Sequence, residues 1–187
     1  MKRVRVKELF RNKEQFSEKE VVICGWVRTN RAQAQFGFLN INDGSFFENI
    51  QVVYDNTLEN FEEISKFRVG VSACIAGKVV LTPDMKQPLE LHAVKVEMLG
   101  DCPENFPIQP KRHTREFLRE IAYLRPRTNL FQAVFRVRSV AAMAIHSYFQ
   151  EKGYVYVHTP LITTTDCEGS DQMFKITTLD FNNIEKV

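Results

Sequence analysis

Two neighbouring segments with alternating side chains constrain the fold most strongly. They are FGFLNIN, residues 36–42, and NIQVVY, residues 49–54. In a β-strand, successive side chains point to opposite faces, so this alternation gathers apolar residues on one face: Leu39, Ile41, Ile50, Val52 and Tyr54. The Asn42-Asp43-Gly44-Ser45 segment between the two strands has the composition of a tight turn. We therefore predict a β-hairpin with one face buried.

The opposite face of this hairpin carries Phe36, Phe38 and Gln51, where a half-buried sheet ordinarily meets water. Exposed aromatic rings offer stacking surfaces to unpaired bases, and a glutamine amide both donates and accepts hydrogen bonds. The face is therefore a candidate nucleic-acid surface, with Arg31 nearby as a contact to phosphate or base. The alternative is that the N-terminal helix or a loop covers the two rings.

The order of the remaining elements predicts the architecture. Apolar periodicity indicates helices over 6–16 and 57–67, and strands over 21–31, 70–81 and 89–99. Five strands with one helix between the third and fourth are the layout of an OB-fold, a small Greek-key barrel whose strands 2 and 3 bind oligonucleotides. We assign residues 1–100 to this barrel.

Charge is distributed unevenly along the chain. The formal net charge is only +2, but residues 1–31 hold nine Lys and Arg against four Glu, and residues 111–138 hold eight against two. Two basic zones on a nearly neutral chain indicate an extended polyanion as partner, or else two solvated helical faces. No long apolar run is present, so we expect no membrane span.

The cysteines and histidines give no sign of a metal site. The four cysteines form no C-x-x-C pair and none lies near a histidine at ligand spacing. Cys24 and Cys74 fall within strand patterns, so we expect small buried hydrophobic residues in a reducing cytosol.

The second part of the chain changes character. Three prolines within residues 100–110 exclude regular structure, and a basic helix stopped by Pro126 follows, so residues 101–128 form a hinge. A helix over 130–151 has an apolar surface too wide for one sheet to cover, which predicts burial in a larger core or between subunits. A strand over 154–160, a polar loop and a strand from Met173 come next. These elements are too few for a compact domain, so we expect the front part of a longer protein.

These segments together resemble the front part of a class II aminoacyl-tRNA synthetase of the aspartate/asparagine/lysine subgroup, most closely its asparagine-specific members. VVICGWVRTNR (21–31) resembles the subgroup's anticodon-binding domain, and FLREIAYLRPRTN (117–129) its hinge. The long helix, Gly153 and the strand up to Pro160 resemble the first class-defining motif. VHTPLITTTDCEGSDQMFKITTLD (157–180) is the most specific piece, since the DCEGSDQMF loop is similar to that of the asparagine enzymes.

The resemblance implies roles for individual residues. Phe38 would stack on the middle anticodon base, a uridine in this subgroup, Gln51 would hydrogen-bond to that base, and Arg31 would also contact the anticodon. Glu168 would belong to the amino-acid site near the terminal adenosine of the tRNA. Pro160 and the 130–151 helix would form the homodimer contact.

The resemblance also implies a fold class and an activity. The fold class would be β + α/β. An OB-fold barrel would come first, and residues 129–187 would form the incomplete start of an antiparallel-sheet catalytic domain. The full-length enzyme would be a cytoplasmic homodimer that activates L-asparagine with ATP and Mg²⁺ and transfers it to tRNA(Asn). The motifs that hold ATP would lie downstream, so we expect no catalytic residue and no bound cofactor in this chain alone. The alternatives are an aspartyl-tRNA synthetase and a free-standing nucleic-acid-binding barrel.

Overall fold

The computed structural model of the chain describes residues 3–162 and 176–178. Five strands form a closed barrel in the order β1-β2-β3-β5-β4. All neighbours in this ring are antiparallel except β3 and β5, which run parallel. The OB-fold prediction is therefore confirmed. The strands are β1 (Glu20–Ala32), β2 (Phe36–Asn42), β3 (Ile50–Asp55), β4 (Ser72–Leu81) and β5 (Leu89–Gly100).

The barrel core contains the hairpin face that the alternation predicts as buried. Leu39, Ile41, Ile50 and Val52 are fully buried, and Tyr54 is 1% exposed. Tyr54 lies so close to the β2 backbone that a Cβ atom on Gly37 would lie 2.3 Å from the tyrosine hydroxyl, so glycine is required there. Burial raises the pKa of Tyr54, which keeps the hydroxyl protonated as a donor.

A β-bulge in β1 changes which residues of that strand face outward. Val27 pairs with Ile41 and Thr29 with Asn40, so Arg28 is an extra residue on β1. Val21, Ile23 and Val27 point into the core. Uninterrupted alternation from Val27 would turn Arg31 inward as well. The extra residue instead leaves Arg31 exposed and opposite Phe38 on β2.

The helix predicted over 6–16 is divided in two. Helix α1 spans Val6–Arg11 and helix α2 spans Lys13–Phe16, separated by Asn12, whose backbone is not helical. The first turn of α1 is held by the β2–β3 turn: the Val6 amide donates to Asp43 Oδ2 at 3.0 Å, and the Lys7 amide donates to Ser45 Oγ at 3.1 Å. These bonds satisfy amides that lack partners within the helix.

Helix α3 (Phe61–Ser65) is shorter than the predicted 57–67 segment but retains the predicted inward residue Ile64. A barrel side chain holds the end of this helix, because Asn30 Nδ2 donates to the backbone carbonyls of Ile64, Ser65 and Phe67. The amide oxygen of Asn30 accepts a hydrogen bond from Tyr54 at 2.9 Å. One side chain therefore connects β1, β3 and the helix.

The segment predicted as a hinge is largely irregular, as its prolines require, but it is not a free tether. It contains helix α4 (Arg115–Glu120), capped by Thr114, and one 3₁₀ turn (Arg125–Arg127). The Arg28 guanidinium donates to the Arg127 carbonyl, and the Arg127 guanidinium lies 4.6 Å from the Trp26 ring centroid. Three apolar residues of the segment are buried: Cys102, Ile108 and Leu118.

Helix α5 spans Asn129–Glu151, close to the predicted bounds. Compact units cover Met1–Ala141 and Ala142–Val187. In the second unit, the structure differs from the prediction of a strand over 154–160. These residues form no strand, and their described contacts are with the end of α5, where the Tyr154 ring meets Phe149 and the Tyr156 ring meets His146. Of the predicted loop and of the strand predicted from Met173, the structure describes only residues 161, 162 and 176–178, and residues 176–178 form no strand.

Within the described ranges, no helix is long and apolar enough to cross a membrane. The same part of the chain holds no group of three or more His, Cys, Asp or Glu side chains placed to bind a metal ion.

The barrel core yields a stability prediction. Leu39→Ala should lower the free energy of unfolding by about 2–5 kcal/mol, because it leaves a cavity at a fully buried position. Phe36→Ala, on the same strand but 38% exposed, is the matched control and should cost clearly less. Urea unfolding followed by circular dichroism measures both. Equal losses for the two variants would contradict the assignment of inner and outer faces.

Candidate nucleic-acid interface

A row of polar side chains crosses the outer face of four adjacent strands. Thr29 on β1 pairs with Asn40 on β2, Asn40 pairs with Gln51 on β3, and Gln51 pairs with Glu90 on β5. Asn40 Nδ2 donates to Thr29 Oγ1 at 2.8 Å, and Gln51 Nε2 donates to Glu90 Oε1 at 2.7 Å. These two bonds hold the side-chain amides in fixed orientations.

An aromatic pair lies beside this row on the same face. The Phe36 and Phe38 rings meet edge to face with centroids 5.5 Å apart, and the Arg31 guanidinium carbon lies 5.6 Å from the Phe38 ring centroid. Phe36 is 38% exposed and Phe38 is half-buried. Arg31 and Phe36 cover part of the Phe38 ring, and both of these side chains are exposed to solvent.

The polar row opens onto a groove of about 820 Å³, which Arg31 also lines, whereas Phe36 and Phe38 lie on the same face without lining the groove. Arg31, Asn40, Gln51 and Glu90 line it, together with Phe46 and residues 85–88 of the β4–β5 loop. The groove is open to solvent, and hydrogen-bond donors and acceptors line it. These groups are therefore accessible to the edge of a nucleotide base. Proteins that hold unstacked bases combine hydrogen-bonding groups with aromatic rings, and this face carries both.

A second groove of about 800 Å³ shares Arg31 and Asn40 with the first. Its other lining residues include Pro103, Gln109 and Pro110 of the segment predicted as a hinge. Arg31 thus lies between two openings on the same surface. The barrel face and the hinge segment together provide a continuous track longer than one base.

The charges around the grooves differ in how they are paired. In the second groove, Arg68 is paired with Asp101 at 3.1 Å and with Glu104 at 3.3 Å. No ion pair involves Arg31 among the residues that the structure describes, so its charge is available to a phosphate. At the outer edge, hydrogen bonds from Thr57 lower the pKa of Asp55, so this carboxyl stays charged opposite Phe36.

Sequence reasoning missed two members of this site, Asn40 and Glu90. The Glu90 side chain is 12% exposed, and its Oε2 lies 3.9 Å from His92 Nε2. Alternation between Leu89 and Leu91 was a signal that Glu90 points outward. Its position beside Gln51 depends on the parallel pairing of β3 with β5, which local periodicity does not reveal.

Pro160, a further predicted site residue, is not among the residues that line these grooves. Pro160 is exposed in the unit Ala142–Val187. Glu168 lies outside the described residues. Helix α5 has no buried residue and exposes large apolar side chains that include Val137, Val140, Met143 and Ile145, each at least 60% exposed. The dimer role of this helix and of Pro160 stays a prediction.

Two family models match separate parts of the chain. Residues 21–99 match the OB-fold nucleic acid binding domain, and residues 114–183 match the tRNA synthetases class II (D, K and N). The first match contains the polar row and the aromatic pair of the outer face. The second begins at the cap of α4 and extends through the loop with Glu168.

Similar proteins and structures agree with these matches. The chain is 57% identical to an asparagine–tRNA ligase of Clostridium novyi over 186 residues, and 56% identical to one of Alkaliphilus oremlandii over 183 residues. It spans about 40% of the length of each of these relatives. The crystal structure of asparaginyl-tRNA synthetase from Pyrococcus horikoshii complexed with asparaginyl-adenylate superposes with a TM-score of 0.83 at 27% identity, over 97% of this chain and 41% of that one.

A putative aspartyl-tRNA synthetase from Leishmania major shares the fold, with a TM-score of 0.74 at 16% identity over 85% of this chain and 34% of that one. Three asparagine–tRNA ligases match essentially the whole chain at more than half of all positions. The chain belongs to the class II tRNA synthetases of the D, K and N group, among the asparagine–tRNA ligases.

Proposed function

We propose that this chain carries the anticodon-recognition portion of an asparagine–tRNA ligase. The whole protein would activate L-asparagine with ATP and transfer it to tRNA(Asn), in the cytoplasm and as a homodimer. The observation that carries the proposal is the outer face of β2, β3 and β5, which holds an aromatic pair together with a groove lined by an amide and a carboxylate. It belongs to a chain whose relatives are named asparagine–tRNA ligases.

The donor and acceptor pattern of the groove fits a uridine. Uridine presents one N–H donor between two carbonyl acceptors on its pairing edge. One hydrogen of Gln51 Nε2 is used by Glu90, which leaves the second free to donate to a uridine carbonyl. The Glu90 carboxylate would accept the uridine N–H. Cytidine offers a lone pair at that ring position, so it would meet the carboxylate with repulsion.

Stacking and charge complete the proposed contact. Phe38 would stack on the base, with Phe36 supporting the ring from its edge. A base–aromatic stack is worth about 1–3 kcal/mol. Arg31, which lies over the same ring, is placed to contact the phosphate of the stacked nucleotide. The second groove would then receive the neighbouring nucleotide beside the hinge segment.

The catalytic steps are proposed for the whole protein rather than for this chain. The carboxylate of asparagine would be activated by ATP with Mg²⁺, with release of pyrophosphate. Glu168 would contribute to the amino-acid site, and its carboxylate suits an α-ammonium group or a ribose hydroxyl. Pro160 and α5 would contribute to the dimer contact. The contribution of the described residues is to bind and orient the tRNA.

Gln51→Ala tests the readout of the base. The variant should bind an anticodon stem-loop of tRNA(Asn) about 5–150-fold more weakly, the equivalent of about 1–3 kcal/mol, because the lost amide also frees Glu90 from its partner. Fluorescence anisotropy with labelled RNA measures the change. Gln15→Ala, at an exposed glutamine of α2, is the control and should bind like the parent. Unchanged binding by a folded Gln51→Ala protein would refute the role.

Glu90→Gln tests discrimination between bases. The parent chain should prefer a stem-loop with uridine at the middle anticodon position over one with cytidine. The variant should lose most of that preference, because a neutral amide no longer repels the cytidine lone pair. Glu97→Gln, on the same strand and outside the groove, is the matched control. If the variant kept the full preference, the base would be read by other groups.

Pyrophosphate exchange tests the division of labour between this chain and the whole protein. The full-length enzyme should exchange pyrophosphate into ATP when asparagine is present, and aspartate should not replace asparagine. The 187-residue chain should show no exchange above background while still binding the stem-loop. Asparagine-dependent exchange by the chain alone would overturn this assignment, and aspartate-dependent exchange by the whole enzyme would favour the aspartyl alternative. RNA binding without exchange by any longer form would favour a free-standing binding module.

A further inference from the structure

Two cysteines meet on the outer surface of the barrel, away from the groove. Cys24 on β1 pairs with Cys74 on β4, and their Sγ atoms are 3.1 Å apart. The neighbouring residues Ile23 and Ile75 are fully buried, so the cysteines point outward, and both are free and half-exposed. The expectation that they are buried core residues is wrong, because the alternation turns them away from the core.

The strand pairing favours a covalent link between the two sulfurs. The register of β1 against β4 runs without interruption from Glu20 paired with Lys78 to Trp26 paired with Ser72. Directly opposite residues in such a ladder have Cα atoms about 4.5–5.5 Å apart, within the range of disulfides. The sulfurs need to approach by about 1 Å to reach the disulfide bond length. Side-chain rotation supplies most of that movement.

The surroundings give the two thiols different roles. Burial and the neighbouring Cys24 raise the pKa of Cys74 to about 11, so Cys74 stays protonated at neutral pH. Glu97, paired with Cys74 on β5, acts in the same direction, whereas Arg3 opposes it. The Arg3 guanidinium also donates to the Cys24 carbonyl at 3.2 Å. Cys74 is therefore not the thiol that attacks first.

We propose that Cys24 and Cys74 form a reversible modification site for low-molecular-weight disulfides such as oxidised glutathione. The Cys24 thiolate attacks one sulfur of the small disulfide, which forms a mixed disulfide and releases one small thiol. Cys74 then loses its proton to solvent and attacks Cys24 Sγ, which releases the second small thiol. Two protein thiols are oxidised, and one small disulfide is reduced to two thiols.

The product is a disulfide across β1 and β4 that encloses β2, β3 and α3 in a covalent loop. Such a loop restricts the unfolded chain, so oxidation raises thermal stability. Neither cysteine lines either groove, so RNA binding stays unchanged. In a reducing compartment the pair rests as the dithiol, and an excess of small disulfides converts it.

The experiment uses the full 187-residue chain with Cys102→Ser and Cys167→Ser, which leaves only the pair. After incubation with oxidised glutathione, both thiols should be lost to a thiol reagent and the intact mass should fall by two hydrogen atoms. The midpoint of thermal unfolding should rise by about 5 °C or more, and excess dithiothreitol should reverse both changes. A further Cys74→Ser change should stop the reaction at the mixed disulfide, without the rise in stability.

Three results would overturn the proposal: no loss of thiols, a mixed disulfide that persists with Cys74 present, or covalent dimers in place of an internal bond. If the background substitutions impair folding, the unsubstituted chain is oxidised and digested without reduction. A linked peptide pair that contains Cys24 and Cys74 is then expected, and its absence counts against the site. None of these measurements involves RNA, so their outcome is independent of the proposed function.

Discussion

Closure of the five-stranded barrel is the constraint on which the other features depend. Because the sheet has no open edge within the ring, each strand residue lies either in a sealed core or on the outer surface. Burial of Leu39 and Ile41 on β2 and of Ile50 and Val52 on β3 therefore fixes the opposite face as the outer one. The outward-facing residues Phe38 and Gln51 are oriented by the apolar residues behind them.

The outer face is ordered before any ligand arrives. Asn40 is bonded to Thr29, and Gln51 is bonded to a carboxylate that is only 12% exposed. Side chains already held in one orientation lose less conformational entropy on binding. The packed hinge segment extends this order, because the contacts of Arg28 and Trp26 with Arg127 hold it against β1. The second groove is therefore part of the folded unit.

Predictions from the sequence succeeded where the signal is local. Strand alternation identified the core and the outer face of the hairpin, and the prolines of residues 100–110 identified irregular structure. They failed where an element depends on a neighbour. The β2–β3 turn caps the start of α1, but the predicted helix over 6–16 is interrupted at Asn12. Residues 154–160 lie against α5 and form no strand.

The sequence by itself determined the five strands, the inner residues of the hairpin and the relation to the asparagine–tRNA ligases, since period and motif are properties of short segments. Only the tertiary structure decided that Arg31 faces the groove, that Glu90 lies beside Gln51 and that Cys24 meets Cys74. Strand β1 pairs with β4 along its first half and with β2 along its second. Because β1 must keep its register with both β4 and β2 in one closed ring, the extra residue falls at Arg28. This requirement depends on the whole barrel and is not encoded in any single strand.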